Sequence, residues 1–144
     1  MSETDLIKLY SQRILALAAD IPHAERLPDA SASATRRSPL CGSTVTVDLR
    51  IEDGRIADFG QDVRACALGQ ASAAIAGAQM IGRSAAEITR ARDELAAMLK
   101  EGGPVPAAPF DGYETLIAAR DYKNRHASIL LVLDAAAEAF TKVA

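Results

Sequence analysis

The sequence has only two cysteines and two histidines, and no internal repeat. No apolar run in it approaches the roughly 18 residues that span a bilayer as a helix. Nor is there an excess of basic residues. Sixteen Lys and Arg stand against 19 Asp and Glu, a net charge of −3, which argues against nucleic acid or an acidic membrane as a partner. The opening Met1-Ser2-Glu3-Thr4-Asp5 is acidic and lacks the positive and apolar regions of a secretory signal. A cytoplasmic, reducing location is therefore expected, where a Cys41–Cys66 disulfide is the less favoured use of the pair. A phosphate-cradling glycine loop, a dinucleotide fingerprint and a hydrolase arrangement are all missing.

What is present has the composition of an ordinary globular protein. The 144 residues are 49% hydrophobic and 24% charged, and the length fits one domain, residues 1–144, with a buried core. Helical periodicity runs from Glu3 to Ala19, with Leu6, Tyr10, Ile14 and Leu17 on one stripe, and Pro22 ends it. The stretch from Pro22 to Pro39 has no periodicity and reads as a loop. The period then becomes two. Val45, Val47, Leu49 and Ile51 alternate with Thr44, Thr46, Asp48 and Arg50, a strand with one buried face. Asp53-Gly54 predicts a hairpin turn, followed by a strand from about Arg55 to Phe59 and a third from Asp62 to Cys66.

The second half reads as helices: Ala67 to Ile81 with Gly82 as its stop, and a second opened by the capping box Ser84-Ala85-Ala86-Glu87 and ended by Gly102-Gly103-Pro104. A short helix from Tyr113 to Arg120 and a long one from Lys123 to Lys142 follow. The expected fold is α+β, a small three-stranded antiparallel sheet with helices packed mainly on one side.

Chemistry falls to Cys41, in Ser38-Pro39-Leu40-Cys41-Gly42-Ser43, and Cys66, in Val63-Arg64-Ala65-Cys66-Ala67-Leu68. Two free cysteines in a reducing compartment are more often inert small apolar side chains. Two soft ligands with an imidazole, His126, in one small domain suit instead thiolate chemistry with a metal or with transferred sulfur. Cys66 opens a helix, where unpaired N–H groups favour a thiolate, and Arg64 would act the same way. His126 falls near the start of the last helix; His23, in a loop, has no role.

These stretches resemble the U-type iron–sulfur cluster assembly scaffolds: IscU, the N-terminal domain of NifU, and SufU. In that family a Cys-Gly-Asp precedes the first strand, a second cysteine ends a strand, and a third stands near the start of the last helix. In the IscU branch a histidine precedes that third cysteine, as His-Cys-Ser-Ile-Leu. The matching stretches here are Pro39-Leu40-Cys41-Gly42-Ser43, Arg64-Ala65-Cys66-Ala67 and His126-Ala127-Ser128-Ile129-Leu130, and the resemblance covers about Asp5 to Phe140. Ser43 replaces the aspartate and Ala127 the third cysteine. The IscU stretch Leu-Pro-Pro-Val-Lys is replaced by Arg120-Asp121-Tyr122-Lys123-Asn124, and the segment Gly102 to Gly112 makes the spacing closer to SufU.

The resemblance implies a non-enzymatic scaffold that holds iron or a [2Fe–2S] cluster transiently on Cys41, Cys66 and His126, with Ser43 a weak fourth ligand. It would receive sulfur from a cysteine desulfurase on Cys41 or Cys66 and pass its cargo to acceptor or carrier proteins. A site short of ligands could be completed by a second subunit, a cluster-bridged homodimer. Two alternatives accompany this. One is a sulfur relay with sulfurtransferase-type activity, working with zinc or without metal. The other is a docking module of the same machinery. Because a serine hydroxyl ligates far more weakly than a carboxylate and alanine ligates nothing, binding should be weaker and more labile than in a four-ligand relative.

Overall fold

The computed structural model describes residues 11–39 and 42–143. Cys41, and the Leu6 and Tyr10 part of the first helical stripe, lie outside the described residues. Within them the order is α1 (Gln12–Ala19), β1 (Ala32–Arg37), β2 (Thr44–Glu52), β3 (Arg55–Arg64), α2 (Ala67–Gly77), α3 (Ala85–Glu101), a 3-10 helix (Asp111–Asp121) and α4 (Lys123–Thr141). The three strands form one antiparallel sheet in the order β1-β2-β3. None of the described helices is long and apolar enough to cross a membrane.

The sheet's core face is set by the period-two pattern of β2. Val45, Val47 and Leu49 are fully buried, opposite Ala34 on β1 and Phe59 on β3, and α4 packs across β1 and β2. The β2–β3 turn is as the sequence predicts: Asp53 and Gly54 both have positive φ, 53° and 76°. That is the backbone a two-residue hairpin requires.

Two strand expectations need correction. β1 occupies residues read as loop, and the two expected strands after Gly54 are one continuous strand, β3. In Ala32-Ser33-Ala34-Thr35-Arg36-Arg37 the buried residues are alanines, not β-branched apolar side chains, because α4 packs closely there. Ser33 and Thr35 alternate outward, and Thr35 Oγ1 lies 2.9 Å from Thr46 Oγ1 across the pair. In β3 the polar Gln61 points into the core, where its Nε2 donates to the carbonyls of Pro22 and Ala73, each at 3.1 Å.

The helix expected to reach Ile81 stops at Gly77. The following residues turn back onto the free edge of β3: Gly82 N donates to Ile56 O at 2.8 Å and Ile56 N to Arg83 O at 2.9 Å. Further along the same edge Gln61 N donates to His23 O at 2.9 Å. Satisfying an edge in this way removes a template for aggregation.

The helical half follows the sequence closely. Ser84 and Glu87 form the capping box at the start of α3, and the backbone N–H of Ser84 leads the contacts that hold the Glu87 carboxyl below its usual range. Gly102, in the left-handed region, caps the other end. Arg92 binds Asp134 at 2.7 Å, tying α3 to α4. A buried cluster ties α2, the 3-10 helix and α4 together: Ser72 Oγ donates to Ile129 O, and the Tyr113 hydroxyl donates to Ser72 O at 3.1 Å.

On the sheet's outward face, β2 carries the buried carboxylate Asp48. It accepts bonds from Arg26 Nε at 2.6 Å, Arg26 Nη2 at 3.1 Å, Leu27 N at 3.0 Å and the Ser33 hydroxyl. These clamp the segment between α1 and β1 over the sheet.

Candidate functional site

The register decides where the site lies. Arg37 pairs with Thr44 and Thr44 with Arg64, so the β1–β2 connection and the residues just after β3 emerge at the same end of the sheet. The residues on either side of Cys41 are tied together: Ser38 N donates to Ser43 O at 2.8 Å and Gly42 N to Ser38 O at 3.0 Å. Gly42 has φ +70°, a left-handed position that glycine takes without strain. The first turns of α4 arrive at this end as well, bringing Ser128 against Ser43.

Cys66 is the N-cap residue of α2, with extended backbone and no cap bond from its side chain. Its sulfur is half-buried and lies 3.5 Å from Ser128 Oγ. Ser128 Oγ donates to Ser43 Oγ at 3.0 Å, and Ser43 Oγ accepts from Cys66 N at 3.4 Å. Ser43 and Ser128 are both buried, at 3% and 1% exposure, so two hydroxyls line the inner side of a partly open thiol. Arg64 does not reach in: its side chain is 81% exposed and sits 3.8 Å from Asp62.

His126 is buried in the first turn of α4, at 4% exposure. Its Nε2 lies 3.1 Å from Ala119 O and 3.0 Å from Arg120 O. Two carbonyls demand a donor, so Nε2 carries the proton and a neutral ring keeps Nδ1 as its lone-pair nitrogen. A backbone carbonyl on one nitrogen is the usual support for an imidazole that ligates through the other. Arg120 is itself fixed, donating to Met98 O at 2.8 Å and Gly103 O at 2.9 Å at the end of α3. Ala127, beside His126, is partly exposed.

Of the residues singled out from the sequence, Cys66 and Ser43 are thus brought together, His126 stands two positions from Ser128 at the start of α4, and Cys41 lies outside the described residues. No cluster of three or more His, Cys, Asp or Glu placed to hold a metal occurs among the described residues. Ser128 was missed. Its signal was a serine inside the apolar run of the last helix, a place where a polar group must find a buried partner.

The approach of Ser128 depends on Gly69. A Cβ there would stand 2.6 Å from Ser128 Oγ and 2.8 Å from Ala65 Cβ. Alanine normally favours a helix over glycine by about 1 kcal/mol. Here Gly69→Ala should instead destabilise by roughly 1–2 kcal/mol, because overpacking outweighs the propensity. Thermal unfolding of the variant checks the sign; a raised melting temperature would show that α2 and α4 are not in close contact at Ser128.

Residues 9–128 match the family model described as the NifU-like N terminal domain. The chain belongs to that family. Its structure is similar to the crystal structure of a nitrogen-fixing NifU-like protein (N-terminal) from Brucella abortus, with 43% identity, 96% of each chain covered and a TM-score of 0.93. A putative iron–sulfur cluster assembly scaffold protein for the SUF system from Fervidobacterium islandicum AW-1 shares the fold at 20% identity. That match has a TM-score of 0.81 over 93% of this chain and 98% of the other. No curated protein matches the chain. The α+β architecture and the relation to U-type scaffolds expected from the sequence are thereby established.

Proposed function

We propose that this NifU-like domain is an iron–sulfur cluster assembly scaffold of the cytoplasm, with a [2Fe–2S] unit as transient cargo. The observation that carries the reading is the half-buried sulfur of Cys66, seated at the end of the sheet with Ser43, two residues after Cys41 in the chain. Thiolates are the preferred ligands of iron–sulfur clusters, and imidazole is an accepted one. Cys41, Cys66 and the Nδ1 of His126 would hold the cargo, while the hydroxyls of Ser43 and Ser128 offer only weak oxygen donors. A shell so short of strong ligands suits release to an acceptor.

Sulfur would arrive from a cysteine desulfurase. The thiolate of Cys66 or Cys41 attacks the outer sulfur of the desulfurase persulfide, a new S–S bond forms, and the desulfurase thiolate leaves. Reducing that sulfur to the sulfide of a cluster consumes two electrons, which a thiol reductant supplies.

The test is anaerobic loading of the parent protein with ferrous iron, a cysteine desulfurase, cysteine and dithiothreitol, followed by absorption spectroscopy and iron and sulfide analysis. The parent should take up iron and sulfide in equal amounts, and Cys41→Ser and Cys66→Ser should each lose at least about tenfold. Variants that load as well as the parent would overturn the reading. Sulfur on a cysteine with no iron retained would replace it with the sulfur relay.

A further inference from the structure

We propose that Ser128 is the positioning residue of the Cys66 sulfur: its hydroxyl receives the S–H of Cys66 and passes its own O–H to Ser43, a directed chain across three elements. The geometry points to it in three ways. First, a hydroxyl has one hydrogen. Ser128 spends that hydrogen on Ser43 at 3.0 Å, so the 3.5 Å contact with Cys66 has the thiol as donor. Second, a serine within a helix ordinarily bonds back to the carbonyl one turn earlier. Ser128 instead reaches out of α4 to the sheet end and the start of α2. Third, the interior of α2 carries glycine at position 69, at a helix-propensity cost, where any side chain would displace that hydroxyl.

The consequence is a sulfur with a fixed direction. An N-cap side chain normally turns inward to bond the first amides of its helix. Cys66 makes no such bond, and Ser128 takes it instead, so the sulfur is held off the α2 amides and remains half-exposed. Once the thiol has given up its proton, the Ser128 O–H can turn from Ser43 to the sulfur, so the thiolate that meets a persulfide or iron keeps the same direction. The role of Ser128 in handling cargo rests on the scaffold reading; its hold on the thiol does not.

The experiment uses the full chain as Cys41→Ser, which leaves Cys66 the only thiol, and records its infrared S–H stretching band. We expect a narrow band at lowered frequency. In Ser128→Ala the band should broaden and move upward, Ser128→Thr should restore it, and Ser43→Ala should also move it upward, because Ser128 then has an O–H to turn onto the sulfur. A broad, water-bonded band in the Cys41→Ser protein itself overturns the proposal, whether or not the serine variants fold. So does a band unchanged in a folded Ser128→Ala. A second arm follows sulfur transfer from a desulfurase to Cys66 by mass, expected to slow several-fold in Ser128→Ala. If the band moves as expected but the Cys41→Ser protein accepts no sulfur, Cys66 is not the acceptor and the positioning role stands alone.

Discussion

Gly60→Ala should cost about 3 kcal/mol of stability, the upper end of what overpacking a well-packed site exacts. Gly60 pairs with Asp48 halfway along β3 and does not have a positive φ, so backbone freedom is not the reason for glycine. Space is. A Cβ at this position runs into the carbonyl oxygen of Glu25, with Leu27 Cγ at 3.0 Å and Leu27 N at 3.2 Å. The obstructing atoms are mostly backbone and cannot rotate away. Making room means lifting the segment around Glu25, which is fastened by Gln61 N to His23 O and by Leu27 N to Asp48. Urea unfolding should show a lower midpoint with an unchanged slope. A midpoint equal to the parent's would mean that this segment does not lie on the sheet.

Asp48→Ala should be comparably damaging, about 3 kcal/mol, because it strands partners of a buried carboxylate. Arg26, the amide of Leu27 and the hydroxyl of Ser33 would all lose their acceptor at once. The same carboxylate gives stability a pH dependence. Burial alone would push its pKa up, but the bonds from Arg26, Ser33 and Leu27 and the charge of Arg26 outweigh it and hold the carboxyl below its ordinary value. The unfolded chain therefore binds a proton more readily than the folded one. The stabilisation is complete above the unfolded value near 3.8 and is lost as pH falls through the lower folded value. Stability against pH in acid should fall less steeply for Asp48→Asn than for the parent; parallel curves would remove Asp48 as the cause. Because Gly60 and Asp48 act on one segment, the double variant should lose less than the sum.

How much of this could be read from the chain depended on the chemical contrast of each pattern. The β2 alternation pairs valine and leucine with threonine, and it is legible as far as Leu49; the burial of Asp48 on the other face and the irregularity at Arg50 and Ile51 are not. The same alternation in β1 is written in alanine and serine, two small residues that differ little in any pattern, so the stretch reads as loop. β3 hid for the opposite reason: Gln61 carries a polar side chain on the core side, which split one strand into two. Capping boxes and glycine stops are local and legible, yet Gly82 is no stop for α2, since it serves the edge of β3 rather than the helix. At the site, Cys66 and Ser43 came from spacing and family pattern. Ser128 did not, because its meaning lies in a contact 62 positions away in sequence.

The place of α4 has a consequence for how the protein is made. The apolar face of the sheet, Val45, Val47 and Leu49, is complete once β3 has been synthesised, but its cover is the last helix. Glu138 and Lys142 reach back 102 and 109 positions to Arg36 and Ser33. At about 5–20 residues per second, a ribosome takes roughly 3–12 s to go from Arg64 to Lys123. Through that interval the apolar side chains of the three strand segments lack the helix that covers them in the folded protein. A chaperone that shields apolar strands should therefore bind nascent chains halted before α4 and let go of the finished chain.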